Sequence, residues 1–345
     1  MYHGVAVNAR FRYRKITGVE RYAGEILRLL DDRVRRIDPG WRLTGMGGHV
    51  WEQVILPGQV GRGEILWSPA NTGPLALSNQ VITIHDLSFI DHPEWYHPTF
   101  AAWYNYLIPK LVHRARLITT VSSYVRIRII NTFRIYETKV EVIPGGVDSQ
   151  KFKPASATEV SRLRQKYDIP GPYILVVGSI QPRKNLTNVF AAWKEVHRLH
   201  PDICLLVVGS RSDLFSDNGS YDIPSAVRLV GYIEDADLPA FYSGAVAYLL
   251  GSLHEGFGLT VLEAMACGTP IIAANTTAIP EVVGNAGRLF DPKNVDEMAS
   301  AINEVISDDG LVNTLVQKGY QRARSFTWER AAEMLYDLLE RELIG

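Results

Sequence analysis

Short apolar runs alternate with longer amphipathic stretches along most of the chain, a pattern that predicts parallel strands separated by helices. In the second half YILVVG (173–178), ICLLVVG (203–209), VRLVG (227–231), AVAYLL (245–250) and PIIAA (270–274) read as buried strands. Behind Asn185, which offers an N-cap, Leu186, Val189, Phe190, Trp193 and Val196 recur at helical steps. Further helices are expected over Ala236 to Ser243 and from about Leu259 to Cys267. Such an open, doubly wound α/β domain binds ligands outside the carboxyl ends of its strands. The first half repeats the logic, with strands expected in GVAVNA, WRLTGM, EILW, VITIHD, LITTVS and VEVIPG and helices over Val19–Leu30, Thr99–Ala115 and Ser123–Phe133. The stretch 328–343, WERAAEMLYDLLEREL, forms one more strongly amphipathic helix.

A length of 345 residues suits two such domains. With 46% hydrophobic and 21% charged residues, disordered, collagenous and disulfide-scaffold classes fit poorly. The net charge of -1 removes the usual electrostatic reason to expect a nucleic-acid partner. Residues 1–150 hold 18 basic and 13 acidic side chains, and the remainder 18 and 24, so the two halves differ in character. The boundary is expected in a linker near Asp148 to Ala157, where Lys151, Lys153 and Pro154 interrupt both patterns. Cys204 and Cys267, both in apolar segments, read as reduced buried thiols and favour a cytoplasmic compartment. The first residues lack the apolar stretch of a signal peptide, and no run approaches the ~20 apolar residues of a membrane span. Any membrane contact would be peripheral, at the inner face and through the first domain.

The segment SLHEGFGLTVLEAMACGTP (252–270) carries the most chemical information. It leaves a strand, passes through Gly256, Phe257 and Gly258, and opens a helix whose first amides have no intrahelical partner. Such a helix start attracts anions. Glu255 and Glu263 flank it, and a carboxylate beside a phosphate site accepts hydrogen bonds from vicinal hydroxyls, which suits a ribose and a hexose. Read alone, the segment fits an ordinary strand-turn-helix equally well.

HEGFGLTVLEAMACGTP resembles the Glu-x7-Glu signature of the family 4 retaining glycosyltransferases, which adopt the GT-B architecture of two facing Rossmann-like domains with a cleft between them. TGVERYA (17–23), HDLSF (85–89), TVSSY (120–124), VIPGGVD (142–148) and VGSIQPRKNL (177–186) agree in order. The resemblance covers nearly the whole chain. It implies an acceptor domain over 1–150, joined by the helix of 328–345, and a donor-nucleotide domain over 151–327. Arg183 and Lys184 would hold the donor pyrophosphate, where fixed cations stabilise the charge that develops on a leaving nucleoside diphosphate. Ser179, Gly256, Phe257, Gly258, Leu259 and Thr260 would line the same donor site. Glu263 would take the ribose hydroxyls, Glu255 the hexose, and Tyr232 and Ile233 the base. Gly18 would let the first-domain helix approach the phosphate, although Thr17 and Glu20 also have capping-box spacing. His85, at a strand end, would contact the sugar or the acceptor.

The implied activity is a metal-independent hexosyl transfer, with retention, from GDP-mannose or UDP-glucose to a polysaccharide or lipid-linked glycan. No cofactor is expected beyond the nucleotide sugar. Asp235 and Asp237 form a literal Asp-x-Asp but read as a helix cap and a first-turn residue, not as metal ligands. Seven aromatics lie between Phe89 and Tyr106, fitted chiefly to core packing, with sugar stacking or a lipid interface as other uses. Arg114, Arg116, Arg126, Arg128 and Arg134 suit solvated helix faces as well as an anionic acceptor. Two rivals stay open: a catalytically silent nucleotide-sugar-binding subunit and a nucleotide-sugar epimerase. A dehydrogenase would need a G-x-G-x-x-G after an early strand, which is not found.

Overall fold

The computed structural model describes residues 4–43, 45–210 and 223–344. The chain divides into two compact units: the described residues of Met1–Pro93, Pro98–Gly146 and Trp328–Gly345, and those of Glu94–His97 and Val147–Thr327.

The N-terminal unit is built on six parallel strands: β1 (Val5–Asn8), β2 (Arg35–Ile37), β3 (Ile65–Ser68), β4 (Gln80–Ile84), β5 (Leu117–Thr120) and β6 (Val140–Val142), in the order β2-β1-β3-β4-β5-β6. Its principal helices are α1 (Gly18–Leu29), α2 (Pro98–Arg114) and α3 (Ser123–Phe133). Helix α1 starts with a capping box, in which the Thr17 N–H donates to Glu20 Oε2 at 3.3 Å. The strand expected in WRLTGM does not form. The second strand is instead the short Arg35–Ile37, and Met46–Val50 is helical; Thr44 lies outside the described residues. Residues 41–43 and Gly45 are irregular and largely exposed, so the alternation there marks an exposed turn, not a pleat.

The C-terminal unit carries β7 (Tyr173–Val177), β8 (Cys204–Val208), β9 (Val227–Gly231), β10 (Ala247–Leu250), β11 (Ile271–Ala274) and β12 (Gly287–Phe290), all parallel, in the order β12-β11-β10-β7-β8-β9. Helices α4 (Leu186–Leu199), α5 (Leu238–Ser243), α6 (Leu259–Ala266), α7 (Val295–Ser307) and α8 (Asp309–Arg324) surround the sheet. Trp193 and Phe190 of α4 pack with Met298 and Ile302 of α7 over Ile174, Leu205 and Phe290. The chain runs from β7 outward to β9, then returns to the other side of β7 with β10, so the strand order reverses between β7 and β10. Loops diverge at such a point and leave a crevice at the carboxyl ends.

The last helix, α9 (Trp328–Ile344), belongs to the N-terminal unit. Glu333 accepts from Arg33 at 2.8 Å, Glu342 from Arg116 at 2.7 Å, and Trp328 meets Tyr22 edge-on at 6.0 Å. Among the described residues, no helix is long and apolar enough to cross a membrane.

Candidate functional site

The segment after β7 turns through Pro182–Lys184 before α4 begins, and the segment after β10 runs from Ser252 to the start of α6. These segments leave the two strands that flank the C-terminal reversal. Their charged side chains meet there. Arg183 Nη1 donates to Glu255 Oε2 at 3.0 Å, Lys184 Nζ to Glu255 Oε1 at 2.7 Å, and Ser252 Oγ to the same Oε1 at 2.8 Å. The backbone joins them as well, with the Leu253 N–H on Arg183 O at 2.8 Å and the Glu255 N–H on Thr277 Oγ1 at 3.0 Å.

Glu255 is buried, with 7% of its surface exposed. Burial alone would raise its pKa, but Arg183 and then Lys184 outweigh that and hold the carboxyl at about 2. Burial pushes the Lys184 ammonium down from its ordinary value, against the pull of Glu255. Two cations thus share one carboxylate, leaving a net positive site at the carboxyl end of the sheet. The sequence reading gave Glu255 and the two cations separate tasks; the fold joins them in one hydrogen-bonded cluster.

Two glycines permit the arrangement. Gly178, at φ 146°, lies under the lysine stem, where a Cβ would stand 2.8 Å from Lys184 Cε. Gly258 precedes α6 at φ 110°, and a Cβ there would meet Ile279 Cδ1 at 2.9 Å. Thr260, in the first turn of α6, receives the Tyr248 hydroxyl at 2.7 Å. Buried Glu263, one turn on, receives the Tyr242 hydroxyl on Oε2 at 2.9 Å. Phe257 is buried and meets Phe326 edge-on at 5.7 Å. Beyond β9, Ile233 is buried while Tyr232 is 68% exposed.

Asn185 does not cap α4 with its side chain. It sits in the left-handed region at φ 57°, and its Nδ2 donates to Gly251 O at 3.1 Å and Pro292 O at 2.7 Å. It therefore ties the cationic turn to the end of β10. Asn185→Ala removes both bonds and places alanine in a strained conformation, so a loss of ~3 kcal/mol is expected in urea unfolding. Asp235 and Asp237 also depart from expectation. Asp235 accepts from Lys151 at 3.2 Å, and Asp237 from Lys166 and Tyr167, both at 2.7 Å. Helix α5 begins at Leu238 with Asp237 at its N-cap position, but the Asp237 side chain makes no cap bond, and both aspartates pair with preceding lysines.

The remaining expected residues, Gly18 and His85, belong to the N-terminal unit. Gly18 is the exposed first residue of α1. Buried His85 follows β4, lies edge-on to Tyr22 at 5.0 Å, and has Nε2 2.8 Å from Pro69 O. A carbonyl only accepts, so Nε2 carries the proton and Nδ1 keeps its lone pair. Burial lowers the His85 pKa, against the pull of the Pro69 carbonyl. The arginines of α2 and α3 are partly engaged, Arg128 with Asp91 and Arg126 with Val140 O at 2.9 Å. Of the expected aromatics, Phe89 and Tyr104 are buried while Tyr106 is 55% exposed.

Residues 160–322 match the family model described as Glycosyl transferases group 1, and residues 66–151 that of Glycosyltransferase Family 4. O-antigen chain mannosyltransferase B of Escherichia coli is 34% identical over 273 residues, which span 74% of this chain and 68% of that protein. Among solved structures, sucrose-phosphate synthase from Thermosynechococcus elongatus shares the fold with a TM-score of 0.76, at 18% identity over 98% of each chain. Anabaena HepE, solved in complex with UDP-glucose, also gives 0.76, at 18% identity over 98% of this chain and 99% of that one.

Proposed function

The chain belongs to the family 4 glycosyltransferases, with their GT-B fold, and from that premise we propose that it moves mannose from GDP-mannose onto a hydroxyl of a growing polysaccharide or lipid-linked glycan. The observation that carries this reading is the Arg183–Lys184–Glu255 cluster at the reversal of the C-terminal sheet. The mannosyltransferase relative favours mannose, and the HepE complex makes UDP-glucose the next donor to try.

In this mechanism Arg183 and Lys184 bind the diphosphate, assisted by the amides of Gly258 to Thr260 at the start of α6. The glycosidic C–O bond breaks, its electron pair leaves with the diphosphate, and the two cations stabilise the charge that appears there. Because these side chains supply the positive charge, transfer needs no metal. Glu255 faces the sugar and favours its oxocarbenium-like transition state, Glu263 holds the ribose hydroxyls, and Ile233 with Tyr232 receives the base. Ser179, Gly256, Phe257 and Leu259 complete the donor site, and Gly18 is assigned to the donor phosphate. The acceptor oxygen bonds to the anomeric carbon on the face the diphosphate leaves, and its proton passes to a diphosphate oxygen. Configuration is thereby retained. His85 contacts the sugar or the acceptor through Nδ1. The enzyme acts in the cytoplasm at the inner face of the membrane.

A thermal-shift panel of GDP, UDP and their sugars tests the reading, since a ligand of the native state raises its apparent stability. GDP and GDP-mannose are expected to raise Tm, and mannose transfer is expected to survive exhaustive EDTA dialysis with an α-configured product by NMR. Stabilisation by none of these nucleotides would refute the donor site, and inverted product would refute the stereochemistry.

A further inference from the structure

The N-terminal sheet has its own reversal of strand order. The chain leaves β1 for β2, then returns to the opposite side of β1 with β3, which makes a second crevice position at the carboxyl ends of β1 and β3. Charged side chains are buried there too. Asn8 ends β1 and Arg10 follows it, Thr72 lies beyond β3, and Glu52 sits in a π-helical turn, Trp51–Ile55. Asn8 Nδ2 donates to Glu52 Oε1 at 2.8 Å, and Thr72 Oγ1 donates to the same oxygen at 3.1 Å. Arg10 Nη2 donates to Thr72 Oγ1 at 3.1 Å and lies 3.4 Å from Glu52 Oε1.

Burying an ion pair this deeply is poor value for stability compared with apolar packing, and π turns recur at functional sites. Three polar atoms of the cluster are buried yet make no hydrogen bond among the described residues: Glu52 Oε2, His49 Nδ1 and Trp103 Nε1. Glu52 is 1% exposed. His49 Nδ1 lies 3.7 Å from Glu52 Oε2, and the His49 side chain is 13% exposed. Its ring stands edge-on to Trp103 at 5.5 Å, and Trp103 in turn stacks with the exposed Tyr106 at 6.0 Å.

An imidazole within 3.7 Å of a buried carboxylate and beside an indole is suited to a sugar, whose hydroxyls meet the polar edge while its C–H groups lie against Trp103; the Tyr106 ring beyond it is covered by Lys110 Nζ at 3.3 Å. The adjacent residues Asn71 and Thr72 connect this position to His85, because Asn71 Oδ1 accepts the His85 N–H at 2.8 Å while Thr72 bonds Arg10 and Glu52. We propose that His49, positioned by Glu52 and flanked by Trp103 and Tyr106, binds a neutral hexose unit of the acceptor glycan, with Nδ1–H directed to Glu52 and Nε2 accepting a sugar hydroxyl. Glu52 is a positioning residue, and Arg10 keeps it ionised. The inference rests on the glycosyl-transfer reading and identifies where its acceptor is recognised.

The test uses the full chain with GDP-mannose as donor and an α-linked mannotriose as acceptor probe. His49→Ala is expected to raise KM for the mannotriose ~10-fold, the effect of one lost hydrogen bond, with the calorimetric Kd for GDP unchanged. His49→Gln, which returns an acceptor near the Nε2 position, recovers part of the loss. Glu52→Gln raises the same KM; a purely structural Glu52 would lower Tm and leave KM alone. Should Glu52→Gln fail to fold, the two His49 variants decide. Wild-type KM in His49→Ala, or no saturable use of the mannotriose by a wild type that binds GDP, would overturn the inference alone. Failure of the wild type to bind either GDP or UDP would overturn it together with the reading beneath it.

Discussion

Glu255→Gln is expected to lower transfer by about 10²-fold or more while the protein stays folded. The substitution keeps the shape of the side chain and removes its charge. Glutamine offers one acceptor oxygen where Lys184, Arg183 and Ser252 now converge on two, and its amide hydrogens face cationic donors. The cations then lose their orientation, and the transition-state sugar loses the anion beside it. Stability falls as well, by ~3 kcal/mol, because a buried charge loses its partner. The pH dependence has a definite sign. A carboxyl held at about 2 in the folded state contributes stability in full above the ordinary carboxylate range, and that contribution is lost as pH falls toward 2. Urea unfolding at pH 7 and pH 3 should therefore show the gap between wild type and Glu255→Gln closing on acidification. Wild-type transfer by the folded variant would refute the role assigned to this carboxylate.

Removing both cations reverses that sign. In Arg183→Ala/Lys184→Ala, Glu255 stays buried with no positive partner from this turn, so desolvation is unopposed by them and its pKa rises above the ordinary range. A group raised in the folded state stabilises at low pH and loses that contribution as pH rises. The double variant is thus expected to gain stability relative to wild type as pH falls from 7 to 5, a range in which the wild-type contribution of Glu255 is still complete. Its affinity for GDP or UDP should drop at least ~10²-fold, since each charge-assisted hydrogen bond contributes ~1.5–3 kcal/mol. Equal calorimetric affinity in both proteins would show that the diphosphate lies elsewhere.

Much of this arrangement could be read from the chain before it was seen folded. The five apolar runs expected in the second half are all strands: β7, β8, β10 and β11 are buried almost throughout and announce themselves by continuous hydrophobicity, while the partly exposed edge strand β9 was legible from its three aliphatic residues. Strand β12 escaped that signal: Gly287–Phe290 is a half-buried edge strand containing Gly and Arg. WRLTGM misled in the opposite way, because a few residues of alternation fit a pleat and a partly exposed turn alike. Candidate residues were legible one segment at a time, whereas their pairing was not. Arg183 and Glu255 are 72 positions apart, and only the strand order brings β7 beside β10. Asn185 shows the same limit, since its partners Gly251 and Pro292 are far away in sequence and a cap is the natural local reading. His49 and Glu52 gave a faint signal, a histidine and a glutamate three residues apart in an amphipathic segment, but the surrounding glycines and the π turn obscured the helix that presents them.

The most direct measurement is a crystal structure of the chain with GDP or UDP bound. The account predicts diphosphate oxygens within hydrogen-bonding distance of both Arg183 and Lys184, at the carboxyl ends of β7 and β10. A nucleotide ordered anywhere else, with the two cations still engaged only by Glu255, would contradict it.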